Sequence, residues 1–246
     1  MPRQPQKPQT IRTLTETTFT KAIAVRPFYN IYGVDTSKKW ASQRIMNECA
    51  ALEFIRENTT IPVPRVIETG ESEDGMYLTV ERVEGIELGE IGKQCRQLPI
   101  YGYLLDGHQK KDCGACQAVA NENAANFIRE TMLPQLAALR SSVSGFNGVV
   151  IPPPWVTEHD RRADWIPKVL DQPVFVFCHG DLGPQNLMCD LKTLEIRWVI
   201  DWENAGFFEE EFLHLWAVDS NSYDEMYGNK DQLATLIAFL EQNEEL

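Results

Sequence analysis

The chain has 246 residues, 43% of them hydrophobic, and a formal net charge of −13. That length is enough for one large domain or two small lobes around a cleft. The acidic balance leaves no basic stripe to track a phosphate backbone, which argues against nucleic acid as a partner, and it is compatible with a cationic substrate. No apolar run approaches the length of a membrane span, and Met1–Pro8 is polar and proline-rich, without the apolar centre of a signal peptide. Six cysteines without framework spacing fit a cytoplasmic chain that keeps its thiols reduced.

Residues 1–10 are expected to be disordered. From Ile11 to Tyr32, Thr alternates with apolar side chains, which predicts short strands. Ser42 to Asn58 reads as a helix with Ile45, Cys49, Leu52 and Ile55 on one face. Pro62 and Pro64 then force an extended path. Met76–Val80 reads as a strand entered by the turn at Asp74-Gly75. Residues 85–117 are irregular. A long helix is expected over 117–140, kinked at Pro134, followed by a loop over 141–160. Val174–Cys178 and Ile196–Ile200 are short apolar strands, and 231–242 predicts a final helix.

The most informative segment is His179-Gly180-Asp181-Leu182-Gly183-Pro184-Gln185-Asn186. It lies between two strands and is followed by Ile200-Asp201-Trp202-Glu203. Phosphoryl transfer needs a carboxylate to orient or deprotonate the attacking hydroxyl, and oxygen ligands to hold magnesium on the nucleotide phosphates. An Asp, an Asn five residues later and an Asp at the end of the next strand supply that set.

These residues resemble the aminoglycoside phosphotransferase and choline kinase superfamily, and its uncharacterised fungal members most closely. Glu48–Pro64 looks like the helix of their small lobe and the loop after it, Tyr77–Gly85 like their hinge, and Leu136–Arg140 like the end of a helix in the large lobe. The resemblance implies an α+β, protein-kinase-like two-lobe fold. Residues 1–83 would form an N-lobe with a β-sheet and one helix, and residues 84–246 a mainly helical C-lobe. It implies a phosphotransferase moving the γ-phosphate of ATP or GTP, with Mg, to a hydroxyl of a small molecule. Asp181 would be the catalytic base, with His179 in the same loop acting as its brace. Asn186 and Asp201 would bind the metal. Glu48 and its lysine partner, with Glu81 and Val83 in the hinge, would meet the nucleotide.

Two departures stand out. The family covers the phosphates with a glycine-bearing hairpin, but before Gly70 this chain has only Gly33. The lysine that pairs with Glu48 is also not set by spacing alone. Lys39 is preferred, with Lys38 and Lys21 as alternatives. These departures support a rival reading, a catalytically silent kinase-like protein that binds a ligand or a protein partner. Elsewhere, Cys113 and Cys116 form a single Cys-x-x-Cys pair. A zinc site needs about four ligands, so the pair alone reads as structural.

Overall fold

The computed structural model describes residues 9–24, 27–73, 75–97, 105–160, 162 and 164–241. Residues 1–8 of the expected disordered tail lie outside these. Its last two residues are ordered. The Gln9 carbonyl accepts the Ala24 N–H at 2.8 Å, and Thr10 opens the first strand.

Strands β1 (Thr10–Leu14) and β2 (Thr18–Ile23) form a hairpin in the register Thr10↔Ile23 to Leu14↔Phe19. Its turn has no glycine. Thr15 Oγ1 instead accepts the Thr18 N–H at 2.9 Å and the Thr17 N–H at 3.3 Å, a side-chain substitute for a backbone turn. β2 pairs with β4 (Gly75–Glu81), which pairs with β3 (Val66–Ser72), giving an antiparallel sheet in the order β1-β2-β4-β3. Strand alternation places Phe19, Lys21 and Ile23 on the same face as their partners Val80, Leu78 and Met76. On the opposite face the hydroxyls of Thr20 and Thr79 meet at 2.9 Å.

Helix α1 (Ala41–Asn58) brings Ile45, Leu52 and Ile55 into the core. Arg44, Asn47 and Glu48 are buried too. Spaced i, i+3, i+4, they form a polar stripe that needs partners from elsewhere in the fold.

The remainder holds five helices and two small sheets among the described residues. β5 (Ile86–Glu87), β8 (Leu187–Cys189) and β9 (Ile196–Val199) form one sheet in the order β5-β8-β9. β6 (Arg140–Ser141), β7 (Phe175–Cys178) and β10 (Gly206–Phe208) form the other, in the order β10-β7-β6. The expected 117–140 helix is divided into α2 (Gly114–Phe127), a π turn over Ile128–Met132, and α3 (Leu133–Ala138). Pro134 has no N–H to return to the preceding turn, and the widened turn falls where that bond would lie. A short helix, α4 (Pro154–His159), interrupts the expected loop.

The last two helices among the described residues are α5 (Ser220–Gly228) and α6 (Lys230–Leu240). α6 corresponds to the helix expected over 231–242. α5 was not anticipated, because none of its residues is buried and it has no apolar stripe. It is started by Asp219, whose carboxylate accepts the Ser222 N–H at 2.9 Å.

The architecture is α+β and two-lobed. An aromatic cluster joins the lobes: Phe54 of α1 lies 5.3 Å from Phe146, 5.0 Å from Phe177 and 5.9 Å from Phe207, centroid to centroid. Behind it, fully buried Trp202 stacks on Phe177 at 6.4 Å and meets the His179 ring at 4.5 Å. No helix among the described residues is long and apolar enough to cross a membrane.

Candidate active site

The expected loop lies between β7 and β8. His179 follows β7 and is buried against Trp202. Its Nδ1 accepts the Asp181 N–H at 3.3 Å and its Nε2 donates to the Ile200 carbonyl at 3.0 Å, which requires the neutral imidazole. Burial drives its pKa down to about 4, against the opposing pull of the Ile200 carbonyl and the Asp201 carboxylate. His179 thus links the loop to the strand that ends at Asp201.

Gly180 turns the chain with φ +80°, and a Cβ there would stand 2.2 Å from the Asn204 carbonyl oxygen. Both the conformation and the space demand glycine. Gly180→Ala is expected to cost at least about 1–3 kcal/mol, the scale of a residue forced into an unfavourable backbone region. An unchanged urea unfolding midpoint would contradict this.

Asp181 is half-buried. It accepts a hydrogen bond from the Tyr223 hydroxyl of α5, and its carbonyl accepts one from Asn186 Nδ2 at 2.7 Å. Desolvation raises its pKa to about 7, with further upward pressure from Asp201 and Glu203; the Tyr223 and Asn186 donors only partly offset this. Since Asn186 Nδ2 is engaged, its side-chain oxygen is the atom left for a ligand. The Asn186 carbonyl accepts the Ile200 N–H at 3.0 Å, which holds the Asn186 and Asp201 ends of the β8–β9 hairpin together. Asp201 sits in the left-handed region, φ 60°, unusual for a residue other than glycine.

The lysine assignment differs from the expectation. Lys21 Nζ, not Lys39, lies 2.9 Å from Glu48 Oε2, and also 2.6 Å from Asp201 Oδ1 and 2.6 Å from Glu203 Oε2. Strand alternation explains this, because Lys21 shares the face of Phe19 and Leu78 that looks toward α1. Lys39 lies in the approach to α1, where its ammonium donates to the Arg162 carbonyl at 2.8 Å and stands over the Trp40 ring. Lys38 pairs with Glu203 at 2.5 Å.

The polar stripe of α1 finds its partners here. Arg44 Nη1 reaches Glu203 Oε1 at 3.1 Å and Asn204 Oδ1 at 2.8 Å, while Asn47 Nδ2 donates to the carbonyls of Glu203 and Ala205 at 3.2 and 2.8 Å. Burial pushes Glu48 up to about 7 despite Lys21. For Glu203 burial also acts upward, but Lys21, Lys38 and Arg44 together hold it well below the usual carboxylate range. Burial works against the Lys21 charge, yet Glu48, Asp201 and Glu203 keep it firmly protonated.

Two cavities meet at Asp201. One, about 630 Å³, lies under the β1–β2 hairpin; Lys21, Glu48, Asn186 and Asp201 line its polar part, and Leu78 and Val80 its apolar wall. Glu81 and Val83 line it as well. Glu81 is anchored by its carboxylate, which accepts the Arg65 N–H at 2.8 Å. The other, about 720 Å³, opens beside Asp181 and is lined by Asp35, Glu158, Glu203 and Tyr227 among others. Asp181 faces the second cavity, Asn186 and Lys21 the first, and Asp201 both.

Several of these residues were not singled out from the sequence: Glu203, Arg44, Asn47, Tyr223 and Tyr227. The α1 stripe could have been found from its i, i+3, i+4 polar spacing on a helix whose other side is apolar. Glu203 was in the quoted motif, two residues beyond Asp201. Nothing local marks Tyr223, because only the placement of α5 brings it to Asp181.

A family model described as Phosphotransferase enzyme family matches residues 34–236. Among curated proteins, an aminoglycoside 3'-phosphotransferase of Streptomyces fradiae is 27% identical over 178 residues, 66% of this chain and 59% of that protein. The match thus spans about three fifths of the relative's length. Among solved structures, the GDP and kanamycin complex of APH(2'')-IIIa aligns over 96% of this chain and 80% of its own, at 12% identity and a TM-score of 0.49. The crystal structure of aminoglycoside-3'-phosphotransferase of type VIII aligns over 96% and 95%, at 17% identity and a TM-score of 0.46.

Proposed function

Because the chain belongs to the phosphotransferase enzyme family, we propose that it transfers the γ-phosphate of ATP or GTP to a hydroxyl of a small molecule, with Asp181 as the base. The observation that carries this reading is the meeting of two cavities at Asp201, one lined by Lys21 and Asn186, the other by Asp181. A nucleotide and an acceptor can therefore approach each other from opposite sides.

The nucleotide would lie in the cavity under the β1–β2 hairpin. Its base would sit against Leu78 and Val80, near Glu81 and Val83. Lys21, held by Glu48, would face the phosphates. Asn186 and Asp201 would hold magnesium, which prefers oxygen ligands and which neutralises charge on the phosphates when bound. The donor set fits, since Asn186 has a free side-chain oxygen and Asp201 a carboxylate on the same cavity. In the reaction the acceptor oxygen forms a bond to the γ-phosphorus, the bond to the β,γ-bridging oxygen breaks, and the hydroxyl proton passes to Asp181. The boundary between the lobes would fall between residues 83 and 84. Lys38, Lys39 and Arg44 also line the second cavity, but Lys38 and Arg44 pair with Glu203 and Lys39 donates to the Arg162 carbonyl, so Asp35, Glu158 and the Tyr227 ring would suit a cationic acceptor such as an amino-alcohol or aminoglycoside. Six free cysteines suit a cytoplasmic setting.

The catalytically silent alternative drew on an unplaced phosphate lysine, and the contact of Lys21 with Glu48 weighs against it. Calorimetric titration with ATP and with GTP, with and without magnesium, tests the reading. Magnesium should strengthen binding, and Asp201→Ala should abolish that gain while the protein stays folded. A wild-type chain that binds neither nucleotide would favour the silent protein. Unchanged magnesium dependence in Asp201→Ala would remove Asp201 from the site.

A further inference from the structure

A second constellation lies away from the cleft, at the start of α2. Cys113 precedes the helix and Cys116 is in its first turn, and both are fully buried. Neither was expected to have metal-binding company. The fold supplies it by bringing Cys95 and His108 to the pair, in the pattern Cys-x12-His-x4-Cys-x2-Cys. The bridge between Gln94 and Lys111 aligns the two arms of the intervening segment, and Cys95 N–H donates to the Lys110 carbonyl at 3.1 Å. Cys113 N–H donates to the Gly92 carbonyl at 2.6 Å, which ties the start of α2 to the 3-10 turn over Leu88–Lys93.

The four ligand atoms are arranged with little spread. His108 Nδ1 lies 3.5 Å from the sulfur of Cys95, of Cys113 and of Cys116. The sulfurs of Cys95 and Cys116 are 3.9 Å apart, and every pair among the four atoms is within 4.8 Å. A tetrahedral zinc ion with bonds of about 2.3 Å to sulfur and about 2.0–2.1 Å to nitrogen sets its ligands about 3.5 Å apart for nitrogen to sulfur and about 3.8 Å for sulfur to sulfur. A disulfide would need about 2.05 Å between sulfurs, and all six cysteines are free. One backbone donor is aimed at the cluster. Arg96 N–H points at Cys116 Sγ at 3.3 Å.

We propose that Cys95, His108, Cys113 and Cys116 bind one zinc ion in a closed, four-ligand structural site. No position is left open for water or substrate, which separates such a site from a catalytic one. Each cysteine that is still protonated releases its proton to solvent as its Zn–S bond forms. Neutral His108 binds through Nδ1 and keeps its proton on Nε2. The ion pins the segment after β5 to the first turn of α2. β5 pairs with β8, so this anchor steadies the sheet that carries the Asn186 loop.

The test is metal content. Full-length wild-type protein, purified reduced and without chelator, should contain about one zinc per chain by plasma mass spectrometry. Cys95→Ser and His108→Ala should lose it, and Asp201→Ala should keep it. If the ligand variants fail to fold, the wild type decides alone. A strong chelator should remove the zinc and lower the melting temperature, and added zinc should restore both. Cobalt(II) added to the stripped protein should give the intense visible bands of a tetrahedral thiolate site. A wild-type chain without zinc that gives no such spectrum would overturn the proposal. So would iron in place of zinc, or zinc that disappears with Asp201→Ala and not with Cys95→Ser.

Discussion

Asp181→Asn is expected to lower turnover by roughly two to four powers of ten, the span assigned to a positioned general base. Nucleotide affinity should stay close to wild type, because Asp181 faces the acceptor cavity and not the one containing Lys21. The acidity of the group adds a second signature. With a pKa raised to about 7, Asp181 is a competent base only when deprotonated, so turnover should rise with pH through about 7 and level off above it. Asp181→Asn should remove that inflection.

Stability should respond to the same group in the opposite direction. The folded protein holds a proton that the unfolded chain releases near the ordinary value of 3.8. The stabilisation from Asp181 is therefore fully present below that pH and is lost as pH rises through about 7. His179 acts on stability with the other sign. Its pKa is depressed from 6.5 to about 4, so its contribution disappears as pH falls across that interval. A turnover limb at pH 7 that survives in Asp181→Asn would assign the titration to another group. Near-normal turnover in that variant would remove Asp181 as the base.

The second large effect belongs to Lys21. Its ammonium contacts three carboxylates, those of Glu48, Asp201 and Glu203. Lys21→Ala should therefore fail in two ways. Removing one partner of a buried ion pair leaves uncompensated charge and costs about 3–5 kcal/mol. Part of that cost should be relieved by proton uptake at Glu48, which burial already raises to about 7, so the variant should regain stability as the pH is lowered toward 5. Nucleotide affinity and turnover should fall together. Lys39→Ala is the control. Lys39 has its own contacts with Arg162 and Trp40, and its loss should leave nucleotide affinity within roughly twofold, the scale of an ordinary surface change. Urea unfolding at two pH values and nucleotide titration of both variants would check this. If Lys39→Ala weakens nucleotide binding and Lys21→Ala does not, the lysine assignment here is wrong.

The parts of the fold that were legible in the sequence have strong local signals. α1 follows from the helical spacing of Ile45, Cys49, Leu52 and Ile55, and the prolines at 62 and 64 mark its limit. β4, β7 and β9 are short apolar runs with turns at their ends. The His179–Asn186 loop was recognised because its residue types and spacing carry their chemistry within one stretch of chain. What was missed depends on long-range placement. Lys39 was preferred over Lys21 on distance along the chain, yet the choice is made by which face of β2 turns toward α1. α5 has no buried residue, so periodicity could not reveal it, although it delivers Tyr223 to Asp181. Cys113 and Cys116 looked isolated because Cys95 and His108 reach them only after the segment between β5 and α2 folds back on itself.

Phosphoryl transfer to a small-molecule hydroxyl can be read directly by mass spectrometry of the acceptor. Wild-type protein would be incubated with ATP or GTP, magnesium and a panel of amino-alcohols and aminoglycosides, beside Asp181→Asn under the same conditions. At least one acceptor should gain the mass of a single phosphoryl group on a hydroxyl with the wild type, and far more slowly with the variant. A wild type that binds nucleotide in the presence of magnesium yet phosphorylates no acceptor would rule out the transferase, and an Asp181→Asn variant that phosphorylates one equally fast would rule out Asp181 as its base.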